Sequence, residues 1–222
     1  GISTFRDAGG LWDKYPVEQV ATPEGYARNP ELVINFYNER RKQLLDVVPN
    51  AGHLGVADLE RDFNVTVVTQ NVDNLHERAG STHVIHLHGE LTKVCSSRDP
   101  YNPHFVKELA PEEYEVKLGD KAGDGTQLRP FIVWFGESVP EIETAIRYVE
   151  QADIFVIIGT SLNVYPAAGL LNYVPRAAEV YLIDPKLVDT HVMRPIHVIQ
   201  KGASEGVKEL KALLTVTQPP LP

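Results

Sequence analysis

The sequence predicts an α/β fold in which helices cover both faces of a mostly parallel β-sheet. Short runs of apolar and β-branched residues alternate with longer amphipathic segments, which is the order expected for such a fold. The most hydrophobic run, 154–158, has the length of a buried strand. Polar or glycine-containing clusters follow several of these runs directly, at the carboxyl ends of strands where open α/β sheets bind their ligands.

Asparagine, proline and serine mark the predicted helix starts. Asn29-Pro30 is typical of an N-cap followed by a first helical residue, and the helix that it opens runs to about Val48. The other helices run from Asn50 to Asp62, from Pro140 to Gln151, from near Pro166, and from Ser204 to Leu214. The strands are predicted at 65–69, 84–87, 131–135, 154–158, 180–183 and 197–199.

Length, charge and cysteine content restrict the class of protein. The 222 residues suffice for one substantial core with a small appended module, so we expect 1–222 to form one domain. No apolar run approaches the roughly 20 residues that cross a bilayer, and no secretory signal opens the chain, so we expect no membrane partner. A single cysteine suits a reducing cytoplasm. A net charge of -9 argues against nucleic acid as the main partner, because phosphate binding needs basic surface.

Residues 91–128 interrupt the alternation of strands and helices. The segment is polar and contains three prolines and three glycines. Its one cysteine, Cys95, has no second cysteine in paired spacing, and His104 could add at most one further ligand, whereas structural zinc sites use four. We therefore expect no metal here and a lobe that is held by packing.

Polar clusters follow two neighbouring predicted strands. Residues 69–73, Thr-Gln-Asn-Val-Asp, come after the first, and His88-Gly89 comes after the second. Amide, carboxylate and imidazole groups at such strand ends are typical of a catalytic cleft. On these residues alone, a helix cap and a structural loop histidine fit equally well. His86 lies two residues from His88, and strand periodicity does not choose between them.

Five motifs stand in order along the chain, at 4–12, 69–73, 88–89, 133–137 and 159–161. Together they resemble the sirtuins, the NAD-dependent protein lysine deacylases, and are most similar to bacterial members that remove both acetyl and succinyl groups. The resemblance extends from Gly1 to about Leu214. It implies a Rossmann-like NAD-binding domain, with a helical module at about 29–48 and a small lobe at about 91–128 in the place of the zinc ribbon. The implied partners are proteins with acylated lysines.

The resemblance implies NAD as cofactor and assigns residues to it. Asn71 and Asp73 position NAD for glycosidic cleavage, and Gln70 contacts the ribose. Phe5 shields the reactive carbon from water, while Arg6 contributes charge and orientation. The other expected cofactor contacts are Gly1, Trp12, Gly159, Thr160, Ser161, Asp184 and Ala203. Leu182 stands where the family usually has asparagine, which puts a side-chain contact to the adenine end in doubt.

The resemblance also selects His88 as the catalytic residue. In the family, the acyl oxygen attacks the nicotinamide ribose, nicotinamide leaves, and a histidine activates a ribose hydroxyl so that the acyl group migrates to ADP-ribose. Histidine suits this role because its ordinary pKa lies near neutral pH.

The remaining assignments concern the acylated substrate. Tyr37 and Arg40 lie three apart in a helix and can jointly hold the carboxylate of a succinyl group, with Ala8 leaving room for it. Without the resemblance, Arg40 would be interpreted as an exposed arginine of the basic run 40–42. Val133, Trp134, Phe135 and Gly136 resemble the edge against which the substrate peptide adds as a strand.

The sequence begins at Gly1 without the strand and glycine-rich turn that normally open a nucleotide-binding domain, so we expect these to precede the given sequence. If the turn is truly absent, a non-catalytic module that binds NAD or ADP-ribose becomes the alternative. A mono-ADP-ribosyltransferase that uses the same site is a third hypothesis. The sequence does not indicate an oligomeric state or a particular substrate protein.

Overall fold

The computed structural model describes residues 14–160, 167–187 and 192–216. The chain forms two compact units. The described parts of the first unit are 14–48, 69–74 and 86–140, and the rest of the described chain belongs to the second unit. The predicted helical module and small lobe both fall in the first unit. No helix in the described ranges is long and apolar enough to cross a membrane.

The α-helices are α1 Val17–Val20, α2 Pro23–Arg28, α3 Pro30–Leu45, α4 Ala51–Asp58, α5 Leu75–Ala79, α6 Ile142–Val149, α7 Ala167–Leu170 and α8 Ala203–Val216. Short 3-10 helices lie at Leu59–Arg61, Pro103–Phe105, Pro111–Glu113 and Leu171–Tyr173. The strands are β1 Val67–Thr69, β2 Val84–His86, β3 Gly89–Ser96, β4 Lys107–Glu108, β5 Leu128–Ile132, β6 Ile154–Ile158, β7 Glu179–Ile183 and β8 His197–Ile199.

Two predicted helix starts are confirmed by their cap hydrogen bonds. The Asn29 side chain accepts from the Leu32 amide at 3.2 Å, and α3 begins at the next residue, which is proline. Asn50 accepts from the His53 amide at 3.0 Å while the His53 ring accepts from the Asn50 amide at 3.1 Å. Both caps satisfy amides that have no partner inside the helix. The predicted cap at Ser204 is wrong, because α8 already begins at Ala203.

The second unit contains the parallel sheet that the sequence predicts. Strand β7 lies between β6 and β8 and pairs with both in parallel. Its core combines residues of these strands with α4 and α8, in a buried cluster of Val56, Leu59, Tyr181, Ile183, Ile199, Val207, Leu210 and Leu214. The bounds of β6 and β8 match the prediction. Apolar side chains at successive positions suit strands that are covered on both faces. Strand β1 pairs separately with β2.

The first unit contains an antiparallel sheet with the strand order β4, β3, β5. The sequence analysis did not predict this sheet. Strand β3 lies largely inside the segment that we read as an irregular lobe. Its register with β5 shifts between Gly89 and Val94, so its residues do not alternate cleanly between apolar and polar. The strand predicted at 131–135 instead ends at Ile132 and begins before Pro130. Proline is tolerated there because β5 is an outer strand of this sheet.

Two polar side chains of α3 hold the lobe. Asn38 donates to the Val116 carbonyl at 2.8 Å and accepts from the Val116 amide at 3.0 Å. Arg41 donates to the carbonyls of Tyr114 (2.7 Å) and Leu91 (3.3 Å) and to the Asn38 side chain. Burial lowers the pKa of Arg41 to about 10. Buried main-chain carbonyls that meet a side-chain donor avoid the cost of losing water, so this pair joins the lobe to the helical module.

Cys95 lies in β3 and is fully buried. Its Sγ atom is 3.7 Å from the carbonyl oxygen of Pro130, and burial raises the pKa of the thiol to about 12. The expectation that the lobe holds no zinc stays a prediction, which rests on the single cysteine of the sequence.

We predict that Cys95 neither binds metal nor reacts in the folded protein. At pH 8, a thiol with so high a pKa is thiolate in only ~10⁻⁴ of molecules. An aromatic disulfide reagent should therefore label it slowly in buffer and quickly in guanidinium chloride, and metal analysis should find well below one zinc per chain. Fast labelling of the folded protein would contradict the predicted burial of the thiol, and stoichiometric zinc would contradict the prediction that the lobe holds no metal.

Candidate functional site

The polar loop after β1 is tied to the residues that run from β2 into β3. The Leu87 amide donates to the Thr69 carbonyl at 3.0 Å, and the Leu91 amide donates to the Val72 carbonyl at 2.7 Å. The Asn71 amide in turn donates to the Thr69 hydroxyl at 3.0 Å. These bonds fix the main chain from which the predicted cofactor residues Gln70, Asn71 and Asp73 project.

The structure gives His86 a role within this loop. Its Nδ1 atom is 2.9 Å from the Asn71 carbonyl oxygen, and its Nε2 atom is 4.0 Å from a carboxylate oxygen of Glu90. The side chain is only 5% exposed. The ring of His86 therefore helps to hold the loop, and the choice of His88 as the base stays a prediction from the family resemblance.

His88 lies just after β2, in the turn that leads into β3, and is partly buried. Its carbonyl oxygen accepts from the Val133 amide at 2.9 Å. The structure thus brings together a predicted catalytic residue and a predicted substrate-binding residue that are far apart in sequence.

Gly89 is required by its own backbone and by β5. Its φ is +87°, and a Cβ atom would overlap with the carbonyl oxygen of Phe131. The close neighbour of Gly89 is the chain of β5, and the absence of a side chain allows β3 and β5 to meet next to His88.

Residues 133–137 form a turn beyond β5 rather than a strand. Trp134 is buried, whereas Phe135 and Gly136 are exposed. The Val133 amide donates to His88 and the Phe135 amide donates to the Ala21 carbonyl at 3.0 Å. A peptide that adds along this segment must therefore meet main-chain groups other than these two amides.

A buried ion pair closes this turn. Both terminal nitrogens of Arg129 donate to the carboxylate of Glu137, at 3.0 and 3.1 Å, and the Trp134 amide donates to the same carboxylate at 2.8 Å. Burial acts to raise the pKa of Glu137, but hydrogen bonding and charge from Arg129 outweigh it, so the pKa lies below its usual range. The sequence did not predict the ion pair between Arg129 and Glu137. The only indication of it in the sequence is Glu137 itself, the last residue of the 133–137 motif.

Tyr37 and Arg40 lie on α3, as predicted, and both are buried. The Tyr37 hydroxyl donates to the Val20 carbonyl at 2.9 Å and accepts from the indole nitrogen of Trp134 at 3.1 Å. Burial raises the pKa of Tyr37 above its usual range. The guanidinium carbon of Arg40 is 5.0 Å from the centre of the Phe36 ring. Its Nε and Nη1 atoms have no hydrogen-bond partner among the residues described, and burial lowers its pKa.

The second unit carries the predicted residues for the other end of the cofactor. Gly159 follows β6 with φ +64°, and no described residue lies within 4 Å of the position of a Cβ atom there. Thr160 is the next residue and is partly buried. Asp184 follows β7, and one carboxylate oxygen accepts from the Lys186 amide at 2.8 Å. Ala203 is the first residue of α8, whose first amides have no partner within the helix.

Six predicted site residues and one predicted helix start lie outside the described residues. They are Gly1, Phe5, Arg6, Ala8, Trp12, Ser161 and Pro166.

Comparisons with known proteins identify the family. The sequence pattern of the Sir2 family matches residues 1–166. A Bacteroides thetaiotaomicron protein named NAD-dependent protein deacylase is 84% identical over 214 residues, which cover 96% of this chain and 92% of that protein. A Helicobacter pylori protein of the same name is 48% identical, over 95% of this chain and 89% of that protein. A mutant Sir2 homologue in complex with 2'-O-acetyl ADP-ribose superposes with a TM-score of 0.82 at 35% identity, covering 100% of this chain and 89% of that one.

We predict that Gly89→Ala destabilises the protein strongly. The left-handed conformation alone costs about 1–2 kcal/mol for a residue with a side chain, and the overlap with Phe131 adds to this. Thermal unfolding should show a large decrease in Tm. Gly119→Ala is the matched control, because Gly119 has φ +101° but open space around its Cβ position. Equal losses for the two variants would mean that contact with β5 is unimportant.

Proposed function

The chain belongs to the Sir2 family, and we propose that it removes acyl groups from protein lysines with NAD, giving nicotinamide and O-acyl-ADP-ribose. The observation that carries this proposal is the convergence within the first unit. Residues 86–91 hold the loop 69–72, and the carbonyl of His88 holds Val133. Residues expected to position NAD, to move a proton and to bind the peptide therefore share one continuous set of main-chain bonds.

The described residues are suited to NAD. Among the described residues, none lies near the Cβ position of Gly159, which fits a ligand beside the end of β6. Asn71 is exposed and Asp73 is partly buried at the other predicted contact, on a loop whose carbonyls are already fixed. When bound, NAD supplies the ribose carbon that accepts the acyl oxygen. Asn71 and Asp73 would orient that ribose, and His88 would take the proton from its hydroxyl.

We further propose that the enzyme accepts succinyl-lysine as well as acetyl-lysine. Three buried arginines of the first unit differ in their partners. Arg41 meets carbonyl oxygens and Arg129 meets a carboxylate, whereas Nε and Nη1 of Arg40 find no partner among the described residues. A buried cation without hydrogen bonds is destabilising unless a ligand supplies them. The carboxylate of a succinyl group would supply both the charge and the acceptors.

Tyr37 contributes to this pocket differently from our expectation of a shared carboxylate site. Its hydroxyl proton is donated to Val20 and its oxygen accepts from Trp134. To bind a carboxylate it would have to exchange the Val20 carbonyl for the ligand. We therefore propose that Arg40 binds the carboxylate and that Tyr37 stabilises the wall of the pocket.

We infer that 1–222 acts as one catalytic domain in the cytoplasm, on proteins that carry acylated lysines. The single, buried thiol fits a reducing compartment. The reaction can be tested by mass spectrometry of acetyl- and succinyl-lysine peptides incubated with and without NAD. Loss of the acyl group and formation of O-acyl-ADP-ribose only with NAD support the proposal. ADP-ribose attached to protein would support a transferase, and binding without turnover would support a non-catalytic module.

We predict that His88→Ala lowers kcat/KM for deacylation at least 100-fold, in line with the usual contribution of a general base. NAD binding, measured by calorimetry, should be largely retained, because the base acts after NAD is bound. His86→Ala is the comparison: it releases the Asn71 carbonyl and should weaken NAD binding. If His88→Ala turns over at nearly the wild-type rate, the assignment fails and His86 becomes the candidate.

We predict that Arg40→Met lowers kcat/KM for succinyl-lysine peptides by roughly 10- to 150-fold, which corresponds to the 1.5–3 kcal/mol of a hydrogen bond to a charged group. Activity on acetyl-lysine should change far less, since that group carries no charge. The Tm should rise, because the variant removes a buried cation whose Nε and Nη1 atoms have no partner among the described residues.

Lys42→Met is the control for the Arg40 experiment, because it removes an exposed charge two residues further along the same helix. It should change neither activity. Equal losses on both acyl groups for Arg40→Met would mean that Arg40 supports the fold. No loss on either would end the specificity proposal.

A further inference from the structure

Glu137 lies at the centre of a buried network that the deacylation scheme does not use. Its carboxylate accepts four hydrogen bonds: two from Arg129, one from the Trp134 amide and one from the Tyr101 hydroxyl, at 3.0 Å. The side chains of Arg129 and Glu137 are only 4% and 14% exposed. A fork-to-fork pair of this kind is directional, so it fixes orientation as well as contributing free energy.

The pair acts on the main chain on both sides of Val133. Arg129 donates to the carbonyl of Ile132 at 2.7 Å, and Glu137 accepts from the amide of Trp134. Val133 itself is bound through its amide to His88. Three consecutive residues are thus held at the point where β5 ends and the exposed turn begins.

The same network reaches the helix that carries Arg40. The guanidinium carbon of Arg129 lies 3.8 Å from the centre of the Trp134 ring system, so the indole is packed against a cation. The indole nitrogen of Trp134 donates to the Tyr37 hydroxyl of α3 at 3.1 Å. The turn 133–137 and α3, which carries Arg40, are therefore joined by one network of hydrogen bonds.

We propose that Arg129 and Glu137 are positioning residues, which hold 132–137 in the conformation that accepts the substrate peptide and so set peptide affinity. The proposal rests on the peptide-binding role proposed above for 133–136. Neither residue touches the reacting atoms in this scheme. Their removal should affect binding of residues that flank the acyl-lysine, and leave the chemical step and NAD binding intact.

The test compares two substrates, an acyl-lysine within a peptide of about nine residues and the single acyl-lysine with both ends capped. Glu137→Gln keeps the size of the side chain but places an amide nitrogen or a neutral oxygen opposite Arg129. It should raise KM for the peptide by at least about 10-fold, the effect of losing a charge-assisted bond. KM for the single residue, KM for NAD and kcat at saturating peptide should each change less than about 3-fold.

Two further variants keep the test decisive if Glu137→Gln folds poorly. Tyr101→Phe removes one donor to Glu137 from a partly exposed position and should raise the peptide KM by about 2- to 5-fold. Arg129→Lys keeps the charge but cannot donate two parallel hydrogen bonds to Glu137. It should therefore raise the peptide KM as Glu137→Gln does. The matched control is Arg41→Lys, since Arg41 and Arg129 are each 3% exposed but Arg41 bonds to the lobe. It should lower Tm and leave the peptide KM unchanged.

The outcomes separate this proposal from the function on which it rests. An unchanged peptide KM in folded Glu137→Gln and Tyr101→Phe overturns the positioning role. Equal increases in KM for peptide, single residue and NAD overturn it too, since they indicate a general structural role. If the wild type deacylates but shows no preference for the peptide over the single residue, the peptide-binding role of 133–136 fails, and the positioning role fails with it.

Discussion

The main-chain bonds between residues 86–91 and the loop 69–72 are the constraint on which the first unit depends. Strand β1 has only three residues and cannot by itself orient the polar loop that follows it. The loop instead takes its geometry from Leu87, Leu91 and the ring of His86. Groups that are fixed before a substrate arrives need no reorganisation during the reaction. Because the same run carries His88, one short stretch of chain sets the position of the loop, of the proposed base and of Val133.

The three buried arginines show how one residue type serves different ends. Arg41 satisfies main-chain carbonyls and so joins the lobe to α3. Arg129 is neutralised by a carboxylate and shapes a turn. Arg40 packs over Phe36 with two nitrogens unmatched in the described structure. The first two arrangements are complete in the folded protein. The third has two nitrogens without a partner among the described residues, which fits the binding role proposed for Arg40.

Local sequence signals predicted the parts of the fold that local interactions determine. Asn29 and Asn50 cap helices through bonds that span three residues, and β6 is a run of five apolar residues. Strand β3 was missed because its irregular register with β5 hides the alternation. The bonds of Tyr37 to Trp134 and of Arg129 to Glu137 could not be read from spacing, because they depend on the path of the chain through α3, β5 and the turn. The amino-acid composition also does not indicate which of the three buried arginines has a carboxylate partner.

The burial of Cys95 has a practical consequence. The chain contains one cysteine in all, and that thiol is enclosed in β3. A protein of these 222 residues should therefore serve as a background without a reactive thiol for site-directed labelling. A cysteine introduced at an exposed position, such as that of Phe135, would be the thiol that a maleimide dye reaches. A fluorophore placed there could report the arrival of a peptide without any prior removal of native cysteines.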